Sequence, residues 1–231
     1  MAIVKNVKFA RYSGNVPPND VLGVVQDMYD WEKIEKDGQN YKLWVNDSTY
    51  LLIGAGTVNT SATLSLFFNG VQVGSTMGYS SVNNAYYGLM HIVKTNSATV
   101  IQFGNTNADS ITEVGITNGA FIFSNGINRV TGETEKLASY INSMTLQSGA
   151  TANYVCSKDV ITSTIDLSTV GVIYASHALT TMTPFTAKES RVALTDVYLC
   201  RNIQPSAVYR GACTLNGRKY YMIGLIMLLD E

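Results

Sequence analysis

The chain has 231 residues, of which 46% are hydrophobic and only 14% are charged, with 16 basic and 17 acidic residues. This hydrophobic content excludes a disordered chain, and the balanced charge without a basic cluster argues against nucleic-acid binding. Because soluble domains carry about 25% charged residues, we expect neighbouring subunits to cover much of the surface.

Helical patterning is confined to two short segments. Val21, Val24, Val25 and Met28 have helical spacing after Pro17-Pro18, and Asn19 or Asp20 is the expected cap. The acidic segment Glu133 to Ile141 is the second helix candidate. Strand patterns cover the rest, at 3–9, 41–45, 50–53, 86–93, 98–103, 111–116, 120–123, 160–165, 171–175 and 191–200.

Five dipeptides favour tight turns between strands because Asn and Gly tolerate the positive φ of type I′ turns. They are Asp37-Gly38, Asn69-Gly70, Asn118-Gly119, Asn125-Gly126 and Asn216-Gly217. The clearest hairpin joins the alternating strand Ala62–Phe68 to Val71–Val73 through Asn69-Gly70. A second hairpin is predicted to join residues 209–215 to one long strand over 218–229.

Many short strands separated by turns predict an all-β fold of antiparallel sandwich or barrel-like domains with little helix. We expect two domains. Residues 1–130 form the first, around a low-charge core sheet, and residues 151–231 form the second. Residues 131–150 are predicted to be a linker or a short helix, since charged residues become more frequent after this point.

The chain has no charged residue between Ser48 and Val93. Within this stretch Tyr79, Tyr86 and Tyr87 are interspersed with Ser and Asn, a mixture that offers stacking area and adaptable hydrogen bonds. These tyrosines are candidate contacts for a sugar or a partner subunit, with ordinary packing as the alternative.

The C-terminal run over 220–229 is apolar without alternation, so both faces of a strand formed there need covering. Two explanations remain open, namely burial inside its own domain and an inter-subunit strand. The candidate inter-subunit residues are Tyr221, Ile223, Leu225, Met227 and Leu229.

No catalytic or metal-binding pattern is present in the sequence. Cys156, Cys200 and Cys213 lack metal-ligand spacing, and are expected to be free thiols unless Cys200 and Cys213 meet across neighbouring strands. The two histidines, His91 and His177, lack a suitably placed nucleophile. We therefore expect a protein without enzymatic activity, cofactor or metal.

No targeting or membrane segment is expected either. The N-terminal residues lack the apolar core and cleavage site of a secretory signal. The longest apolar run, over 221–229, is far shorter than the roughly 20 residues that span a bilayer.

The C-terminal residues resemble the ends of virion structural proteins from tailed phages and phage tail-like particles. The resemblance lies in Asp196–Cys200, Tyr209–Gly211, Thr214–Tyr221 and the ending Leu228-Leu229-Asp230-Glu231. It implies a non-enzymatic capsid, tail or baseplate component, assembled in the host cytoplasm into the virion. Its partners would be its own copies and other virion proteins. A carbohydrate- or receptor-binding β-sandwich is the alternative function.

Overall fold

The computed structural model describes residues 1–11, 16–56, 62–78, 86–105, 120–128, 131–141, 153–158, 161–162, 171–172, 183–186, 192–201, 210–215, 217–223 and 226–231. Within them lie one α-helix, Pro18–Val25, and a 3-10 helix, Gln26–Met28. The strands are β1 Ile3–Arg11, β2 Lys33–Asp37, β3 Asn40–Trp44, β4 Thr49–Ala55, β5 Ala62–Phe68, β6 Val71–Gly78, β7 Tyr86–Lys94, β8 Ala98–Asn105, β9 Ala120–Asn128, β10 Thr134–Ile141, β11 Asn153–Cys156, β12 Ile161–Thr162, β13 Gly171–Val172, β14 Thr183–Thr186, β15 Val192–Arg201, β16 Arg210–Leu215, β17 Arg218–Ile223 and β18 Ile226–Leu229.

These strands form two sheets, which confirms the predicted all-β fold with little helix. The small sheet has five strands in the order β2-β3-β4-β5-β6, a simple antiparallel meander. The large sheet has thirteen of the described strands along a path β1-β7-β8-β9-β15-β18-β17-β16, with β10 to β14 branching from it. All of its described pairings are antiparallel except that of β13 with β15.

The hairpin predicted at Asn69-Gly70 is confirmed. Asn69 has φ 48° and Gly70 has φ 77°, so both turn residues adopt the positive φ of a type I′ turn between β5 and β6. Gly217, with φ 79°, likewise precedes β17. The Asn125-Gly126 turn is wrong, because both residues lie inside β9 and pair with Lys136 and Glu135 of β10.

The large sheet is buried on both faces, because its side chains alternate between two apolar clusters. Ile92 and Ile101 pack towards the small sheet and the helix, whereas Val93 and Val100 on the same strands pack into a separate cluster on the opposite face. Strand β9 alternates in the same way. This two-sided burial explains why the central strands have no apolar-polar alternation in sequence.

The helix begins as the Pro17-Pro18 pair predicts, but the capping position is Pro17 instead of Asn19 or Asp20. Proline suits the first turn because its fixed φ is helical and its missing N–H would have no intrahelical partner. Val21 and Val25 are fully buried, and the helix packs over β3, β4 and β5. Val21 and Val25 thereby join the buried cluster to which both sheets contribute.

The predicted helix over 133–141 is wrong, because Thr134–Ile141 forms β10 along the whole of β9. Every side chain from Leu137 to Ile141 is buried, with Leu137 on one face and Ala138 and Tyr140 on the other. Strands from both sides of the proposed linker pair within the large sheet, so the strand pairing shows no division at this point.

The single strand predicted over 218–229 is also wrong. The run forms two strands, β17 and β18, which pair with each other in an antiparallel hairpin. β18 lies between β17 and β15 and all four of its side chains are buried. The only glycine of the run, Gly224, directly follows in sequence the last residue of β17.

Candidate functional site

Three of the five residues predicted for an inter-subunit strand, Ile223, Met227 and Leu229, lie in the core of the large sheet. Ile223 and Met227 are fully buried, Leu229 is almost so and Tyr221 is half-buried, while Leu225 lies outside the described residues. Of the two explanations left open, burial within the same chain is therefore the one observed for the buried residues. They offer no free surface to a neighbouring subunit.

The predicted tyrosine contact site cannot be assembled from the described side chains. Tyr79 lies outside the described residues, and Tyr86 and Tyr87 are placed only as backbone positions in β7. In the ladder Tyr86 is opposite Arg11 and Tyr87 is opposite Ala10, both of β1. Their role in contacting a sugar or a partner stays a prediction.

Sheet edges are the other surfaces through which a β protein binds partners, because the outer backbone groups of an edge strand are unpaired. Four described strands of five or more residues pair on one side only, namely β1, β2, β6 and β16. Three of them carry features that oppose strand addition.

Charged residues occur along two of these edge strands. β1 contains Lys5, Lys8 and Arg11, and four of the five residues of β2 are charged. On β2 the Lys33 Nζ contacts Glu35 Oε1 at 2.8 Å, and hydrogen bonds from Lys33 and Trp44 lower the pKa of the Glu35 carboxyl. A strand added here would have to displace or desolvate these charges.

The edge of the small sheet at β6 is distorted instead of charged. The register between β5 and β6 shifts between Leu64 and Leu66, and Gly74 of β6 adopts φ 72°. The Gly74 backbone lies against the ring of Tyr140 of β10, which ties this edge to the large sheet. Such a bulge interrupts the regular ladder that an incoming strand would need.

The edge at β16 has one charged residue, Arg210 at its start, and its register with β17 has no shift although Gly211 has φ 149°. Residues 211–215 read Gly-Ala-Cys-Thr-Leu without a charge, and the ladder to β17 is regular from Arg210 to Leu215. Ala212 and Thr214 are exposed and Cys213 is half-buried. Among the described strands, β16 is therefore the long edge best suited to pair with a strand of another chain.

A polar notch forms a second candidate site, with a volume of about 260 Å³. It lies between the Tyr29-Asp30 segment, the turn from Lys94 to Thr99, and Asn125 and Lys136 on adjacent strands. The hydroxyl of Thr99 donates to the carbonyl of Met28, so the turn is fixed to the segment that follows the helix. The carbonyl of Asn125 accepts from the hydroxyl of Thr195 at 2.9 Å.

Charges on one side of the notch are compensated within the chain. Lys136 Nζ lies 3.1 Å from an oxygen of Asp30 and 2.9 Å from one of Glu32. Burial acts to lower the pKa of Lys136, but the hydrogen bonds to Glu32 and Asp30 outweigh it and raise this pKa. Burial, followed by the charges of Asp30 and Glu32, raises the pKa of Tyr29, which keeps the hydroxyl protonated.

Lys94 Nζ, on the other side, donates to the carbonyl of Asp27 at 3.1 Å. The Tyr29 ring packs edge-to-face on Trp31, with centroids 5.0 Å apart, and Lys136 lies over it at 5.8 Å. Since that ring is occupied, a ligand in the notch would be held by hydrogen bonds to amide, hydroxyl and ammonium groups instead of by stacking.

Cys200 and Cys213 do not form the disulfide that the sequence left open as an alternative to free thiols. β18 and β17 separate the strand of Cys200 from that of Cys213, and Cys213 is a free thiol. Three steps of about 4.8 Å between strands exceed the reach of a disulfide. Cys156 is free and fully buried, and burial raises its thiol pKa to about 12.

Other functional groups are sparse in the part of the chain that the structure describes. His91 is buried on β7 opposite Gln102, and His177 lies outside the described residues. The described residues include no group of three or more His, Cys, Asp or Glu side chains placed to hold a metal ion. No described helix has the length and apolarity to cross a membrane.

Sequence reasoning missed both the β16 edge and the notch. The uncharged segment 211–216 between Arg210 and Arg218 was a readable signal for the edge. The notch had no such signal, because its residues come from four segments that only the fold brings together.

No protein-family model, curated protein or solved structure matches this chain. The geometry of its own residues, above all the edge strand β16 of the large sheet, is therefore the basis for inferring what it does.

Proposed function

We propose that the chain is a non-enzymatic structural subunit of a phage virion, a capsid decoration, tail or baseplate component that acts through protein–protein contacts. The observation that carries the proposal is the edge strand β16 of the large sheet, which pairs in regular register with β17 and is uncharged from Gly211 to Leu215. Strand addition at such an edge supplies backbone hydrogen bonds to a neighbouring subunit. The C-terminal resemblance to virion proteins supplies the particle context.

The low charge supports this proposal less strongly than the sequence alone suggests. The large sheet buries apolar side chains on both faces, which accounts for much of the uncharged sequence within one chain. Among the described residues, the exposed large apolar side chains available to partners are few, and they include Val71 at 69% exposure and Ile3 at 53%. Contact through backbone edges is therefore favoured over contact through a broad apolar face.

Density-gradient fractionation of particles from the native source tests the proposal. A structural subunit is expected to sediment with intact particles and to remain bound after high-salt washing, since backbone pairing is less sensitive to salt than surface charge. The matched control is a soluble host protein of similar size, which should stay at the top of the gradient. Recovery of the chain only at the top would overturn the proposal.

Carbohydrate binding is the second candidate, and the polar notch is the observation that favours it. The amide of Asn125 and the hydroxyl of Ser97 offer the hydrogen bonds that sugar hydroxyls need. Glycan binding would be measured for the wild type, for Asn125→Ala in the notch and for Tyr86→Ala at the predicted tyrosine site. Loss in Asn125→Ala alone assigns binding to the notch, and absence of binding by the wild type rejects this candidate.

A further inference from the structure

We propose that β16 pairs antiparallel with β16 of a second copy of this chain, so that the large sheets of two subunits continue into one another. This inference rests on the proposed structural function, and it names a second copy of the chain as the partner that binds the β16 edge. It follows from comparing the four long described edges, of which β1 and β2 are charged and β6 is bulged. Natural edge strands that are neither charged, bulged, short nor covered readily pair with other strands.

A second copy is a suitable occupant because antiparallel pairing of a strand with itself satisfies twofold symmetry. The twofold axis passes beside one residue, which then faces its own copy, while every other pair occurs twice. With the axis beside Ala212, Cys213 or Thr214, the two Arg210 residues lie at opposite ends of the joined strands. No like charges are therefore brought opposite each other within the pairing, as cross-strand stability requires.

The side chains at the centre of the strand fit such close approach. Ala212 and Thr214 are small and exposed on one face, and Cys213 between them is half-buried on the other. None needs to give up a charge or a large hydration shell when a second strand is added. Backbone N–H and C=O groups supply most of the attraction, and small side chains let the two edges meet at the ordinary spacing of about 4.8 Å.

Sedimentation velocity over a wide range of protein concentration measures the association. The wild type is expected to dimerise, and Ala212→Lys is expected to weaken the dimer at least about tenfold because it places like charges at the joined edges. Ser75→Lys is the matched control, since Ser75 is exposed on the bulged β6 edge. It should leave the dimer unchanged. A monomeric wild type, or equal weakening by both variants, overturns the proposal.

Cross-linking with a short bismaleimide tests the geometry directly. Each variant has one thiol on β16, either the native Cys213 or Ala212→Cys or Thr214→Cys combined with Cys213→Ser, and Cys200→Ser is present throughout. One of the three positions is expected to cross-link most efficiently, because one residue faces its own copy. A dimer that cross-links at none of these positions would contradict pairing through β16.

The outcome of the self-pairing experiments can be distinguished from the outcome of the test of the proposed virion role. A chain that sediments with particles but is monomeric and uncross-linked, in isolation and in the particle, leaves the structural role standing and rejects self-pairing. A chain that dimerises through β16 but is absent from particles supports self-pairing and rejects the virion role.

Discussion

Gly74 of β6 lies directly beneath the ring of Tyr140 of β10, so closely that a Cβ at this position would stand 2.1 Å from a ring atom. The contact joins the edge of the small sheet to the large sheet. Gly74 also has φ 72°, a conformation that other residues rarely adopt. Backbone conformation and lack of a side chain are thus both needed for the two sheets to meet here.

Replacing Gly74 by Ala is expected to lower the free energy of unfolding by about 2–4 kcal/mol, the sum of left-handed backbone strain and steric overlap with Tyr140. Gly70→Ala is the matched control, because Gly70 has φ 77° but nothing within 4 Å of an added Cβ. Its cost should be about 1 kcal/mol. Equal losses in urea unfolding would show that the Tyr140 contact contributes nothing.

Lys136→Met is expected to destabilise the chain by about 1 kcal/mol, because Lys136 joins β10 to Asp30 and Glu32 while its own side chain is only 22% exposed. Lys33→Met removes the pair with Glu35, in which both side chains are well exposed, and should destabilise the chain less than Lys136→Met does. Urea unfolding of the two variants checks the difference. A larger loss for Lys33→Met would contradict the role assigned to Lys136.

The contribution of Lys136 also has a defined pH dependence. Its pKa is raised in the folded chain, so its pairing stabilises fully below the ordinary lysine pKa of about 10.4 and is lost as pH rises through the raised value. The stability difference between wild type and Lys136→Met should therefore be constant from about pH 7 to 9 and shrink in stronger alkali. A difference that grows in alkali would contradict this assignment.

Cys156 is expected to react with a thiol reagent at least about a hundredfold more slowly in the folded chain than in denaturant, since only the thiolate attacks. Its side chain is fully buried and burial raises its pKa to about 12. Peptide mapping after timed labelling would distinguish it from the half-buried Cys213. Rapid labelling of Cys156 under native conditions would show that this part of the core opens readily.

Local turn chemistry predicted the small sheet well, because the Asn69-Gly70 hairpin is decided by the backbone preferences of two residues. The same dipeptide at Asn125-Gly126 predicts a turn that does not form, because β9 pairs with strands on both sides and stays extended. Tertiary pairing outweighed a turn preference worth little by itself.

Burial of the large sheet on both faces explains why the helix over 133–141 and the single strand over 218–229 were wrong. In β10, Leu137 packs into one apolar cluster, and Ala138 and Tyr140 pack into the other on the opposite face of the sheet. Because both faces are apolar, the sequence lacks the apolar-polar alternation of a half-buried strand, and it predicts a helix instead. For the same reason the C-terminal run predicts one strand, whereas it forms the hairpin of β17 and β18. The notch could not be predicted, because its residues come together only when distant strands become neighbours.

Copy number per particle tests the structural role most directly. Quantitative mass spectrometry of purified particles, with isotope-labelled peptides of this chain and of the other particle proteins as standards, gives the ratio of each. A structural subunit predicts a fixed number of copies, the same in independent preparations and unchanged by further purification. A ratio that varies between preparations and falls towards zero on purification would contradict the proposal that this chain is built into the virion.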